Sequence, residues 1–217
     1  MERQLYKVDI PNWNYAVEQV KRVLGSDKEV KKKAQEYGLI YRNRRGLMVV
    51  DVVASRQRKY LEYVVLKLLP QYEAKAIDLS LQSLAKKAPT WMPLRTGEAN
   101  VMQSVARVLL DFGNRIGIKD ENAICLAWAK DPSAHSDILD IKGIGPALLQ
   151  YLRMRSGADS VKIDVRVMEE LKNLRLPVDW FTSDGLLQIC TELAREASCS
   201  LVELDQVLWH LQDSKDS

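Results

Sequence analysis

Apolar residues in this chain recur at steps of three and four through most of its length, the spacing that lines one face of an α-helix. Trp13, Val17, Val20 and Leu24 step by four, three and four, with Pro11 just ahead and Gly25 just behind. Leu61, Val64, Val65, Leu68 and Leu69 mark one face of a helix expected over 57–69; Arg58, Lys59, Glu62 and Lys67 occupy the other, and Pro70 reads as its stop. Val101, Val105, Val108, Leu109 and Phe112 predict another, with Gly113 as its terminator. Val167, Met168, Leu171 and Leu174 predict a fourth, closed by Pro177, and two more are expected around 186–197 and 201–211. The run LMVVDVVA from Leu47 fits strand and helix equally. With no internal repeat, low-complexity segment or alternating strand series, the pattern predicts an all-α protein.

Composition changes this picture little. The 217 residues, 47% hydrophobic and 28% charged, suit one large globular domain or two small ones. The longest apolar run contains Asp51 and is too short for a bilayer, and the N-terminal MERQLYKVDI lacks the apolar core of a signal peptide, so no membrane association is expected. Cys125, Cys190 and Cys199 are odd in number and widely spaced, which predicts free thiols in a reducing, cytoplasmic setting. Net charge is only +3, but residues 28–45 carry seven Lys/Arg against two Asp/Glu, leaving the rest of the chain at −2. That cluster reads either as a phosphate-facing surface or as a solvated helix face.

The densest chemistry lies in DILDIKGIGPALLQYL, where Lys142-Gly143-Ile144-Gly145-Pro146 interrupts two apolar runs. Glycines there allow a tight turn and close backbone approach, and Pro146 suits the first turn of a helix. The amides of Ile144, Gly145 and the first helical turn, Ala147 included, are expected to point outward together and cradle a phosphate oxygen, with Lys142 beside them. The plain alternative is a helix–turn–helix connection with a glycine cap. Downstream, in VKIDVRV, Asp164 stands directly before a helix. It is an excellent N-cap, and a carboxylate so anchored also suits catalysis on a nucleotide.

Together, LDIKGIGPALLQYL and VKIDVRVMEEL resemble the helix-hairpin-helix–Gly/Pro-Asp signature of the endonuclease III-like base-excision DNA glycosylases. Looser likenesses are VVDVVASRQRKYLEYVV, GEANVMQSVARVLLDFG and ELDQVLWHL, so the resemblance runs from Leu47 to Leu211. It implies a two-lobed helical fold with a DNA cleft between lobes: a central lobe, 46–157, ending in the hairpin, and a second lobe from 1–45 plus 158–217. It further implies that double-stranded DNA is the partner of a monomer (nucleoid-associated if the source is prokaryotic). By the same resemblance a damaged base is expected to rotate out of the duplex, Gln57, helped by Arg56 or Arg58, to fill the gap, and Asp164 to stabilise positive charge on the sugar as the base leaves.

Two departures narrow what the resemblance implies. Strand-cutting members place a lysine two residues beyond the second hairpin glycine, where this chain has Ala147; a monofunctional enzyme is therefore expected. Many relatives hold an iron–sulfur cluster on four closely spaced C-terminal cysteines, whereas only Cys190 and Cys199 lie there, so neither metal nor other cofactor is expected. His135 and His210 are isolated and read as surface or packing residues. Metal-free, monofunctional relatives largely remove alkylated purines, stacking the cationic base on aromatic rings. Trp91, Trp128 and Tyr60, with Tyr63 and Trp180, are the candidate pocket residues, each with ordinary packing as its alternative. A non-catalytic DNA-binding relative of the same fold is the competing function, and a protein-interaction module a more distant one.

Overall fold

The computed structural model describes residues 10–213, and those residues form helices and turns with no strand. In order they are α1 (Trp13–Ser26), α2 (Lys28–Tyr37), α3 (Arg45–Ala54), a π-helix (Tyr60–Leu68) running into α4 (Leu69–Lys75), α5 (Leu81–Lys86), α6 (Glu98–Arg115), α7 (Glu121–Lys130), α8 (Ser136–Leu139), α9 (Pro146–Arg155), α10 (Val165–Asn173), α11 (Ser183–Ala197) and α12 (Leu201–Asp213). The chain divides into two compact units. One combines the described residues up to Glu36 with those from Asp159 onward, and the other is Tyr37–Ala158. Residues 37–45 and 158 thus cluster with the central segment. No helix among the described residues is long and apolar enough to cross a membrane.

The discontinuous unit closes around Trp13, Val17 and Val20 of α1, Val167 and Leu171 of α10, Ile189 and Leu193 of α11, and Leu204 and Val207 of α12. These are the three-and-four-spaced positions of each helix, so one apolar stripe per helix suffices to enclose the core. Cys190 lies within it.

The central unit is organised on α3. All ten residues of α3 are buried, which explains why its sequence shows no helical alternation: a helix covered on every side has no polar face to reveal its period. Gly46 permits that enclosure. A Cβ there would stand 2.3 Å from the Ser80 carbonyl oxygen, and the Gly46 amide donates to Leu79 O at 2.7 Å. The segment leading into α5 therefore rests directly on the α3 backbone.

Two expected helix ends are displaced. Pro70 does not stop its helix. The preceding turns are wound as a π-helix, whose i→i−5 pattern is seen in the Leu69 amide bonding to Val64 O. Pro70 falls in the first turn of α4, where a missing N–H costs little. Gly113 likewise lies inside α6, where a Cβ would stand 2.4 Å from Ile124 Cδ1, so it makes room for α7 rather than ending α6.

All three cysteines are free, Cys125 and Cys190 fully buried and Cys199 partly so. Burial pushes each thiol up to about 12.

Candidate functional site

The hairpin is built from α8, a turn through Gly143, and α9. Ile138, Ile144 and Leu148 are buried and hold the two short helices together. Gly143 adopts φ +105°, a conformation that L side chains rarely reach. Gly145 is the N-cap of α9, with Pro146 at N1 and no side chain accepting from the first turn. Among the described residues, the amides of Gly145, Ala147 and Leu148 have no protein acceptor. They gather at the positive end of a ten-residue helix. Lys142 is exposed beside them. Ile144 departs from expectation: its amide donates to Ile141 O at 2.9 Å, closing the turn instead of facing outward. The amides left open at this helix start are thus those of Gly145, Ala147 and Leu148.

The corner at Arg56-Gln57-Arg58 separates three roles that the sequence could not. Arg58 is fixed inside the unit, donating to Glu98 Oε1 at 3.0 Å and Oε2 at 2.6 Å and to Ala54 O at 2.9 Å. Its side chain is 7% exposed and that of Glu98 1%, so Arg58 is a structural ion-pair residue, not a group free to enter a duplex. Arg56 reaches the hairpin, its Nη1 donating to the Gly143 carbonyl at 3.2 Å. It braces the hairpin turn. Gln57 is the exposed member of the corner, its Oε1 accepting from Arg95 Nη1 at 3.3 Å, and it adopts φ +51°, rare for a non-glycine residue. Arg95 holds that conformation, donating to Gln57 O at 2.7 Å and to Arg56 O at 3.2 Å. Beside it lies a groove of about 410 Å³ lined by Gln57, Lys59, Tyr63, Lys67 and Arg95 among others. Arg95 and Glu98 had no local signal in the sequence, since they act on residues some forty positions away.

The candidate aromatics also separate. Trp128 is fully buried, its indole N–H on Ala134 O at 3.3 Å and its ring edge-on to His135, so it belongs to the core. Tyr60 is committed to a buried polar cluster. Its hydroxyl lies 2.9 Å from that of Tyr151 and accepts from Arg155 Nη2 at 3.0 Å. Arg155 also pairs with Asp51 at 3.3 Å and packs 3.9 Å from the Tyr37 ring centre. Burial first, then the Asp51 charge, pushes the Tyr60 hydroxyl up to about 12, which keeps it protonated near neutrality. Trp91 is partly exposed, parallel to Tyr72 at 6.1 Å, with Lys75 over its ring. Tyr63 sits between Arg58 and Lys67, each 5.7 Å from its ring centre. Trp180 is exposed.

The basic stretch divides as well. Lys28, Lys31, Lys32, Lys33 and Arg42 are exposed. Arg45 is buried, donating to Asn122 Oδ1 and to Arg155 O at 3.0 Å each. Arg44 pairs with Glu73 at 3.0 Å. Arg45 is thus spent inside the central unit, whereas Arg44 lies in an exposed ion pair.

Asp164 stands at the N-cap of α10, extended at φ −118° and ψ −177°, and its Oδ1 accepts from the Val167 amide at 3.2 Å. Its Oδ2 lies 3.1 Å from Lys162 Nζ. A tight local turn places the two side chains together, since the Asp164 amide bonds to Lys162 O at 2.9 Å. The Lys162 amide in turn donates to Asp205 Oδ1 at 3.1 Å, fixing the segment to α12. Both carboxylate oxygens of Asp164 are therefore oriented by the chain, while the side chain remains 23% exposed.

No family model and no curated protein matches the chain. Solved structures do. The 8-oxoguanine glycosylase/lyase of Methanocaldococcus jannaschii, in complex with a 15mer DNA containing 8-oxoguanine, superposes with a TM-score of 0.61 at 17% identity, over 91% of this chain and 97% of that one. The 8-oxoguanine DNA glycosylase of Thermotoga maritima gives a TM-score of 0.54 at 16% identity, over 92% and 96%. The all-helical fold described above is shared with these DNA glycosylases across nearly the whole length of each.

Proposed function

We propose that this chain is a base-excision DNA glycosylase that hydrolyses the N-glycosidic bond of a damaged purine turned out of duplex DNA. The observation that carries the reading is Asp164, a solvent-reachable carboxylate with both oxygens oriented, in a fold shared with glycosylases that act on 8-oxoguanine. The α8–α9 hairpin grips backbone phosphate through the Gly145, Ala147 and Leu148 amides and Lys142. Gln57, held in its strained conformation by Arg95, occupies the space left in the base stack. As the C1′–N bond lengthens, positive charge grows on the sugar, and the Asp164 carboxylate stabilises it and orients water for attack at C1′. No amine stands two residues beyond the second hairpin glycine, where this chain has Ala147, and Lys142 ahead of the turn is committed to phosphate. Base release is therefore hydrolytic.

The test is direct measurement of free base released from duplexes carrying 8-oxoguanine, N-alkylated purines or deaminated bases. Release of at least one purine is expected, with Asp164→Asn lowering the rate to background while duplex binding is nearly retained. Release at the wild-type rate by that variant would overturn the mechanism. Binding without release from any substrate would make the chain a non-catalytic DNA-binding relative.

A further inference from the structure

We infer that Tyr60, Asp51 and Arg155 are positioning residues that set where Gln57 stands against the hairpin, so that the hold on phosphate and the insertion into the base stack act together. The inference rests on the assignment of Gln57 to the gap left by the turned-out base. Gln57 lies between two residues that meet one hydroxyl on the second helix of the hairpin. Ahead of it in sequence, Asp51 of α3 accepts from the Tyr151 hydroxyl of α9 at 2.9 Å. Behind it, the Tyr60 hydroxyl stands 2.9 Å from that same Tyr151 oxygen. Arg155, one turn farther along α9, closes the set: its Nη2 donates to Tyr60 at 3.0 Å and to Tyr151 at 2.9 Å, and its Nε lies 3.3 Å from Asp51 Oδ2. The stretch 51–60 is thus fastened to α9 at both ends. A further tie lies nearer the surface, where Arg56 Nη1 donates to the Gly143 carbonyl at 3.2 Å.

These ties differ in kind from the hold that Arg95 has on the corner. Arg95 bonds to Gln57 and Arg56 only, so it fixes the shape of the corner. The bonds to α9 fix its place relative to the hairpin. Asp51 is fully buried, Tyr151 and Arg155 are buried, and Arg155 Nη1 finds no acceptor among the described residues. Apolar side chains of like volume would enclose such a seam equally well, because a buried ion pair rarely adds net stability. Directional bonds do what apolar contacts do not: they are lost when one helix slides or rotates against its neighbour. The N-terminus of α9 carries the open amides of Gly145, Ala147 and Leu148. The separation between a phosphate held there and Gln57 is therefore set before DNA arrives, which leaves less ordering to the binding step.

The experiment uses the full chain on a duplex carrying a tetrahydrofuran analogue of an abasic site, with 2-aminopurine as the neighbouring base. No base release is needed, and the fluorescence reports what stacks in the gap. Binding of wild-type protein is expected to change that fluorescence, and Gln57→Ala to abolish the change. Tyr60→Phe keeps the ring and removes only the hydroxyl. It is expected to lose most of the change at saturating protein, while affinity for the duplex, set by phosphate contacts, stays within about twofold of wild type. Arg56→Gln cuts the outer tie without disturbing the core and should lose part of the change. Ile189→Val, in the core of the other unit, serves as the comparison for stability alone: a lowered Tm with the fluorescence change kept. A full Gln57-dependent change in Tyr60→Phe or in Arg56→Gln would overturn the proposal and leave the assignment of Gln57 standing. No difference between wild type and Gln57→Ala would overturn that assignment, and this proposal with it.

Discussion

Glu98, buried in the central unit, governs the exposed corner at Gln57 through its two arginine partners. Its buried carboxylate receives two hydrogen bonds from Arg58 and one from the Arg95 amide at 3.0 Å, and Arg95 in turn holds Gln57. Removing one partner of a buried pair leaves the other charge uncompensated, a penalty of about 3–5 kcal/mol. Glu98→Ala should therefore destabilise the fold by about 3 kcal/mol in urea denaturation. A Glu98→Ala, Arg58→Met double variant should recover part of that loss, because neither charge is then buried alone. The sequence showed Arg58 as one of several cations on a polar helix face. Its partner lies forty positions away, so nothing local separated it from Gln57. The left-handed backbone at Gln57 was equally hidden, since it is imposed by Arg95 from outside the corner.

At the scale of elements, the apolar stripes of α1, α6, α10, α11 and α12 were legible because each helix keeps one polar face. Legibility failed where an element is covered on every side or leaves α-geometry. α3 is the first case: its burial erased its period. The helix after the Gln57 corner is the second. Its nine-residue π-winding carries the chain past Pro70, a residue that reads as a breaker only if α-helical bonding is assumed. The hairpin turn was legible in kind, from two glycines, a lysine and a proline, but the inward bond of the Ile144 amide depends on turn geometry that composition does not encode. Gly46 supplies the test of how tightly these elements are seated. With Ser80 O only 2.3 Å from an added Cβ, Gly46→Ala must push apart α3 and the start of α5. Overpacking of this kind costs about 1–3 kcal/mol, which thermal unfolding would report as a lowered Tm.

For the whole molecule, net charge of +3 is too small to mark a nucleic-acid partner, and the local distribution matters more. Four lysines and Arg42 in residues 28–45 face solvent, Lys142 stands at the hairpin, and Lys59, Lys67 and Arg95 line the groove beside Gln57. Binding to duplex DNA should accordingly weaken steeply with salt as phosphate contacts release counterions. Lys142→Ala should lower affinity about equally for damaged and undamaged duplexes, and should reduce the slope of log K against log salt by about 0.9. Fluorescence anisotropy across a salt series measures both. An unchanged slope would remove Lys142 from the phosphate contacts.

The three cysteines have a practical consequence. With every thiol pushed up to about 12, almost none is thiolate near neutrality, and two are sealed from solvent. Labelling of the native chain by maleimide near neutrality is therefore expected to be slow, with partly buried Cys199 the first to react. A single cysteine introduced at exposed Gln57 would be the dominant reactive thiol without any prior removal of the others. Paired with a thiol-tethered nucleobase, it would let the protein be locked to one register on DNA, turning the corner held by Arg95 into an anchor for capturing the complex.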